Sequence, residues 1–279
     1  TLNNASELVI SDNRANSSNA HAGKFFIDTC ENITISNNRF QGLALYGDTV
    51  LNITGNDLFC NLCGTLGGIN FPWTDSYFVR NIDITHSHNF NLSDNNYYAR
   101  GNAGEAVKIS YSSLGNISYD TIQRAESSYS YMGPHRSSWS RNSAAIGIGY
   151  SSNISVYDNV LNDVISYSTG ILVRDSDTIY VKRNSIEGNS EYGIYLRNPV
   201  SLDLDSNTVK NFTNGIYAAP QTSNNLRVRY NQLDTLGQLG INIQGDSGVF
   251  TDNVINSIVG GNGISINGNG GSNAVSYTH

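Results

Sequence analysis

Apolar and polar residues alternate along this chain in short runs, and the runs recur. "TGILVRDSDTIYVKRNSI" (169–186), "YGIYLRNPVSLDLDSNTV" (192–209) and "LGINIQGDSGVFTDNVI" (239–255) share one phrase. Each reads Gly, an alternating strand, a short polar turn, a second alternating strand, Asn, then one aliphatic residue. Gly147, Gly170, Gly193, Gly215, Gly240 and Gly263 mark one phase, about 23 residues apart. Asn159, Asn184, Asn207, Asn231 and Asn253 mark another. The earlier stretches "LALYGDTVLNITGND" and "IDITHSHNFNLSDNN" align with 171–185 without a gap.

Strands of three to five residues cannot bury a face alone, but stacked at a constant period they can. Inward Ile, Val and Leu of successive coils then form one continuous core, with backbone ladders between coils. Asn tolerates the left-handed conformation at a sharp bend, and stacked amides can hydrogen-bond along the axis as a ladder. Gly permits the bend before the first strand. The pattern predicts an all-β chain: a single-stranded right-handed parallel β-helix of about eleven coils, filling residues 1–279 as one domain. Leucine-rich repeats lack support because the L-x-x-L-x-L-x-x-N spacing is missing, and a propeller needs four strands per repeat.

Two insertions interrupt the period. One spans about 59–80, "FCNLCGTLGGINFPWTDSYFVR". The other spans about 123–144 and contains "YSYMGPHRSSWSRN". Two regular coils, with strands at Ile82–Thr85 and Val107–Ser110, separate them. Long loops on a rigid scaffold are where function tends to sit. Loops entering one sheet at two levels stand as walls, with the coils between them as a floor.

Alternation names the floor. With Ile171 and Val173 inward, the outward positions include Tyr46, Asp83, Thr85, Lys108, Ser110, Leu172, Arg174, Tyr195, Arg197, Tyr217, Asn242 and Gln244. Gly147 and Gly149 leave a bare patch beside the second insertion. Aromatic faces pack on sugar rings. Arg and Lys suit carboxylate or sulfate groups. The competing reading is an ordinary solvated sheet face whose long side chains cover apolar surface.

Composition narrows the classes. Hydrophobic residues make up 38% of the 279, ample for a core, while charged residues are only 14%. The net charge of −7 argues against a general nucleic-acid binder, which carries a basic field. No run of about 18 apolar residues exists, so no membrane insertion is expected. Eight N-x-S/T sequons occur, but the repeat itself is written N-I-S or N-I-T. Cys30, Cys60 and Cys63 are an odd set, not a disulfide framework. Cys60-x-x-Cys63 reads as a local disulfide or half a metal site, and zinc lacks its second pair.

The "G-I-x-L…N-x-I-x-x-N-x-I" coils resemble the pectin-lyase-like superfamily of right-handed β-helices, notably NosD-type and carbohydrate-binding repeats. The resemblance covers nearly the whole chain. It implies three sheets per coil: the Gly-led strand first, the strand before Asn second, the short aliphatic position third. It also implies a saccharide groove along the first sheet. "MGPHRSS" resembles the D-P-H-D-R-S segment of mannuronan C5-epimerases at Pro134, His135 and Ser137, with Gly133 and Arg136 where that motif has acids. "GEAVKISYSSLGNISYDTI" resembles a coil of chondroitinase-B-like lyases at Glu105, with Val107 in place of its second Glu and Ser112 in place of its Lys.

A glycosidase needs two carboxylates at a set separation. Asp83, Glu105, Asp75 and Glu126 are at hand, but nothing pairs them, so hydrolysis ranks below elimination or epimerisation. A lyase or uronate epimerase must neutralise the sugar carboxylate, remove the adjacent proton and protonate the other side. Lys108, Arg100, Arg136 and Arg141 suit the first task. His135, Lys108 and Tyr131 suit proton transfer, histidine being the natural agent near neutral pH. Catalytic candidates are therefore His135, Lys108, Arg136 and Tyr131. Substrate-binding candidates are Asp83, Glu105, Arg100, Trp139, Arg141, Arg174, Tyr195, Arg197 and Tyr217. His86 and His88 are weak metal candidates, since two His without a third ligand make a poor site. No cofactor is predicted, and calcium has no support from the residues.

By phase the chain begins and ends in the strand before Asn, "ELVISDN" and "NAVSYTH". Bare solenoid ends pair edge to edge. The expectation is therefore a piece of a longer chain, with its ends covered by further chain segments or homo-oligomer partners. Two functions follow. One is an extracellular or cell-surface protein that binds or processes an acidic polysaccharide, lyase- or epimerase-like if catalytic. The other is a non-catalytic structural or adhesive β-helix of a cell-surface protein or viral tailspike.

Overall fold

A computed structural model describes residues 2–15, 24–63, 81–101, 105–127, 143–166, 168–219, 225–244, 248–267 and 273–278. Among these residues every strand pair is parallel and no helix occurs. None is therefore a helix long and apolar enough to cross a membrane.

The strands stack into three ribbons, giving the predicted parallel β-helix. The first ribbon holds eleven described strands, from Leu2–Asn3 to Ile264–Asn267. The second and third ribbons fuse into one 19-stranded sheet. Fusion happens at Gly248–Ile255, which pairs with Leu226–Arg229 of the second ribbon and with Gln232–Asp234 of the third. The first described strand, Leu2–Asn3, pairs with Lys24–Asp28 in the first ribbon, so the described chain starts there and not in the second.

The core follows from alternation held in constant register. Ile84, Ile109, Ile148, Val173 and Leu196 stack along the first ribbon, each opposite the next, and all are buried. Ile53, Leu92, Ile117, Val156, Val181 and Leu204 do the same along the second. Full burial of such a side chain contributes roughly 1.5–3 kcal/mol.

The corner between the second and third ribbons carries the expected ladder. The backbone N–H of each rung donates to the side-chain oxygen of the next: Asn56 to Asn95 at 3.0 Å, Asn184 to Asn207 at 3.1 Å, Asn231 to Asn253 at 3.0 Å. Each rung's Nδ2 donates to that same oxygen. The rung asparagines are not the left-handed residues, however. Those come immediately before them, at Asn37, Asp94, Asp158, Arg183 and Ser206 among others. The bend and the hydrogen bonds fall to neighbouring residues because a rung side chain must point inward along the stack.

The glycine phase also works differently. Gly170, Gly193, Gly215 and Gly240 have no positive φ; they are needed for room. A Cβ at Gly193 would lie 2.3 Å from Val209 Cγ1, at Gly215 2.3 Å from Leu233 Cδ2, and at Gly240 2.6 Å from Ile255 Cδ1. The aliphatic residue of the third ribbon occupies the space a side chain would take. Gly147 does not belong to this phase. Register puts Ala145 opposite Gly170 and Gly147 opposite Leu172, on the outward row.

Both insertions are shorter than the repeat suggests. Third-ribbon strands Asp57–Cys63 and Thr121–Ser127 run into them, and Ser143–Gly149 begins before 144. Third-ribbon strands reach seven residues because outward cross-strand pairs extend them, as where Phe59 stacks on Tyr98 at 4.8 Å.

Candidate functional site

Register turns the predicted outward positions of the first ribbon into two continuous rows. One runs Ala44, Asp83, Lys108, Gly147, Leu172, Tyr195, Tyr217, Asn242. The other runs Tyr46, Thr85, Ser110, Gly149, Arg174, Arg197. Alternation thus named the rows correctly. Solvent access does not follow the expected floor. Asp83, Lys108, Gly147, Leu172 and Arg174 are all buried, Lys108 at 5% exposure. The rows are half-buried at both ends: at Ala44 and Tyr46 ahead of the first insertion, and at Tyr195, Arg197, Tyr217, Asn242 and Gln244 beyond the second.

The buried part holds charge. Lys108 Nζ lies 4.0 Å from Asp83 Oδ2, and Thr85 Oγ1 donates to Asp83 Oδ1 at 3.0 Å. Glu105, just before the Lys108 strand, is buried too. All three have further partners.

Arg174 is also engaged. Its Nε donates to Asp175 Oδ2 at 2.7 Å and its Nη2 to the Tyr150 hydroxyl at 2.9 Å. Its guanidinium sits 5.3 Å from the centre of the Tyr150 ring. Asn198 Nδ2 in turn donates to Asp175 Oδ1 at 2.8 Å. Arg174 is therefore largely compensated. Arg197, one coil further on, forms no ion pair among the described residues.

Three tyrosines stand beside Arg197. Tyr195 stacks on Tyr217, with centroids 5.7 Å apart and planes 14° apart. Tyr192 packs against both, at 4.8 and 5.1 Å. Burial pushes the Tyr192 phenol up, helped by a hydrogen bond to Glu191, and burial does the same to Tyr195. Both hydroxyls stay neutral hydrogen-bonding groups across the ordinary pH range.

Other candidates fall elsewhere. Arg100 lies on the third ribbon. Its Nε is 3.1 Å from Glu126 Oε2, in a network with Arg124 and Asp163. Glu126 accordingly belongs to a strand, not to the insertion. His86 is exposed at the corner after the first ribbon, stacked on Tyr111 at 5.0 Å and tilted against Tyr46 at 5.1 Å. His88 instead bonds Ser113 through Nδ1 at 2.7 Å. The two histidines share no partner, and no group of three metal-binding side chains occurs among the described residues. Cys60 is disulfide-bonded and so is no metal ligand, while Cys30 is a buried thiol. Tyr131, His135, Arg136, Trp139 and Arg141 lie outside the described residues.

Two features escaped the repeat. At the corner after the first ribbon, Ser87, Ser112, Ser151 and Ser176 form a second ladder, each backbone N–H donating to the next Oγ at 3.1–3.2 Å. It stops where Pro199 follows Ser176 in the column. Just outside it runs an aromatic column, with Tyr111 stacked on His86 and, at 4.9 Å, on Tyr150. The legible signal was a recurring dyad: His86-Ser87, Tyr111-Ser112, Tyr150-Ser151.

A family model described as "Right handed beta helix region" matches residues 127–277. Searching curated proteins returns no match. Among solved structures, the Streptococcus pneumoniae surface protein and adhesin PfbA is similar at 9% identity and TM-score 0.45, over 99% of this chain and 90% of that one. Polygalacturonase from Erwinia carotovora ssp. carotovora is similar at 9% identity and TM-score 0.42, over 100% and 96%. The enzymatically active domain of bacteriophage CBA120 tailspike protein 2 follows at 10% identity and TM-score 0.26, over 89% and 42%. At such identities the likeness concerns the fold alone.

Proposed function

The chain belongs to the right-handed β-helix family, and from that premise we propose that the outer face of its first ribbon binds an extended acidic glycan outside the cell. Arg197 carries the reading. It is a half-buried guanidinium with no ion pair among the described residues, beside the stacked Tyr195–Tyr217 pair. Stacked rings supply apolar area for sugar faces, and the guanidinium supplies a two-pronged donor for a carboxylate or sulfate. Asn242 and Gln244 extend the same rows with neutral hydrogen-bonding groups. Should bound uronate also be cleaved or epimerised, Lys108 is the proton-transfer candidate within the described residues, with Asp83 beside it.

The test is direct binding to polygalacturonate, alginate and chondroitin sulfate, set against neutral glucans. Affinity for at least one acidic chain is expected, falling as salt rises because the contact is partly ionic. Arg197→Ala should weaken it about tenfold, the scale of one charge-assisted contact, and Tyr195→Ala comparably. Equal retention of neutral and acidic chains, or of none, overturns the reading and leaves the structural or adhesive β-helix. Absorbance of unsaturated uronate, reducing ends and epimer ratio, followed in the same mixtures, separate binding from turnover.

A further inference from the structure

Each of the two ladders contains one acid where the other rungs are neutral. In the asparagine ladder it is Asp120. Its Oδ1 takes the acceptor role, receiving the Asn95 backbone N–H at 2.7 Å and Asn95 Nδ2 at 3.1 Å. Its Oδ2 stands where other rungs hold Nδ2. That atom regularly donates to a carbonyl of the preceding coil: Asn95 to Ile53 O, Asn159 to Ile117 O, Asn184 to Val156 O. By the same step the position belonging to Asp120 faces the Leu92 carbonyl and Asn159 Oδ1, both acceptors. Only a protonated carboxyl supplies the missing donor there. The buried Tyr97 hydroxyl donates to Oδ2 at 3.2 Å, one bond where the repeat uses two.

In the corner after the first ribbon the acid is Asp48. Its Oδ1 receives the Cys30 N–H at 2.7 Å, and its own N–H donates to Ser87 Oγ at 3.2 Å. Its Oδ2 is buried without a partner. The serine rungs use their hydroxyl proton at this point, donating to the carbonyl two residues back, as Ser87 does to Thr85 O and Ser151 to Gly149 O. A protonated Asp48 would supply the proton that the serine hydroxyls supply there.

We propose that Asp48 and Asp120 are proton-operated rungs: as neutral acids they complete the two ladders, and their ionisation loosens the two coils that lead into the insertions. The placement supports this. Asp48 lies in the coil that ends with Asp57–Cys63, and Asp120 immediately precedes Thr121–Ser127. These are the strands that run into 64–80 and 128–142. Charges acting on the two carboxyls are themselves acidic: Asp94 on Asp120, and Asp28 on Asp48. Burial, opposed by the backbone bonds, pushes Asp120 up to about 7 and Asp48 up to about 6.

The sign follows. A carboxyl whose folded pKa is raised holds its proton more tightly folded than unfolded. Its stabilisation is complete below the ordinary carboxylate range and is lost as pH rises through about 6 for Asp48 and about 7 for Asp120. Carbon-13 titration of aspartate carboxyls in the whole chain is the deciding measurement. Two midpoints well above the ordinary range are expected, one vanishing in Asp120→Asn and the other in Asp48→Ser. Thermal midpoints should follow. Asp120→Asn and wild type should nearly coincide at about pH 3.5, below the ordinary carboxylate range, with the variant several degrees higher at about pH 8, since an amide restores the donor at every pH. If Asp48→Ser fails to fold, the wild-type titration still decides. Ordinary midpoints for both carboxyls, or a variant-to-wild-type difference that ignores pH, overturns the proposal.

Discussion

A single missing side chain shows how tightly the interior is matched. Phe90 and Gly115 are register partners on adjacent coils of the second ribbon. A Cβ on Gly115 would lie 1.9 Å from Phe90 Cζ, so the ring uses the space the glycine leaves. Gly115→Ala should therefore destabilise the chain by about 1–3 kcal/mol through overpacking. Phe90→Leu costs stability alone, yet in the Gly115→Ala background it should recover part of the loss. Denaturant titration of the four species measures that coupling, and additive losses refute the pairing. At this scale the sequence was only half legible. Glycine positions were visible, but their reason, a ring from the adjacent coil or a methyl from the far side of the same coil, lies 15 to 25 residues away in the chain.

At the scale of strands and corners, the ladders carry the argument. Asn207 accepts two bonds from Asn184, at 3.1 and 3.0 Å, and donates to Val181 O and Asn231 Oδ1. Asn207→Ala strands several buried groups at once, so a loss of about 3 kcal/mol or more is expected from unfolding titrations. A loss below about 1 kcal/mol contradicts the ladder's role. Here pattern reading succeeded where chemistry repeats with the coil and failed where it does not. The rows Asp83–Lys108 and Arg174–Arg197 were legible because alternation and register are both periodic. The serine ladder went unseen because serine is common everywhere in the chain. Burial of Asp83, Lys108 and Arg174 was illegible because it depends on what lies over a strand in space, not on the strand's own pattern. The setting of Arg100 was illegible for a related reason: the third ribbon was read as one aliphatic position, whereas Asn96–Gly101 is a six-residue strand with its own outward face.

Across the whole molecule each coil touches its neighbours, so stability is a sum over coils and the interfaces between them. One property of the stack reaches further. Regular rungs join residues 18 to 25 apart, as in Asn38–Asn56, Asn231–Asn253 and Asn159–Asn184. The rungs that span the insertions join residues 39 apart, Asn56–Asn95 and Asp120–Asn159, yet their bonds are just as short, 3.0 and 2.9 Å. The insertions leave the finished stack undisturbed but lengthen the route to it. Closing 39 residues instead of 23 costs about 0.5 kcal/mol more in chain entropy. Contacts about a coil apart give a relative contact order of roughly 0.08, the range of fast-folding helical bundles and not of β-sandwiches. Refolding should therefore begin among the uninterrupted coils of 152–234 and spread toward the amino-terminal side, crossing each insertion as a slower step. Pulse-labelled hydrogen exchange should find amides of Asp177–Lys182 and Leu202–Asp205 protected before those of Glu31–Ser36, and the reverse order would remove the loop-closure account. A parallel β-helix with long insertions then folds like a zipper with two stiff teeth.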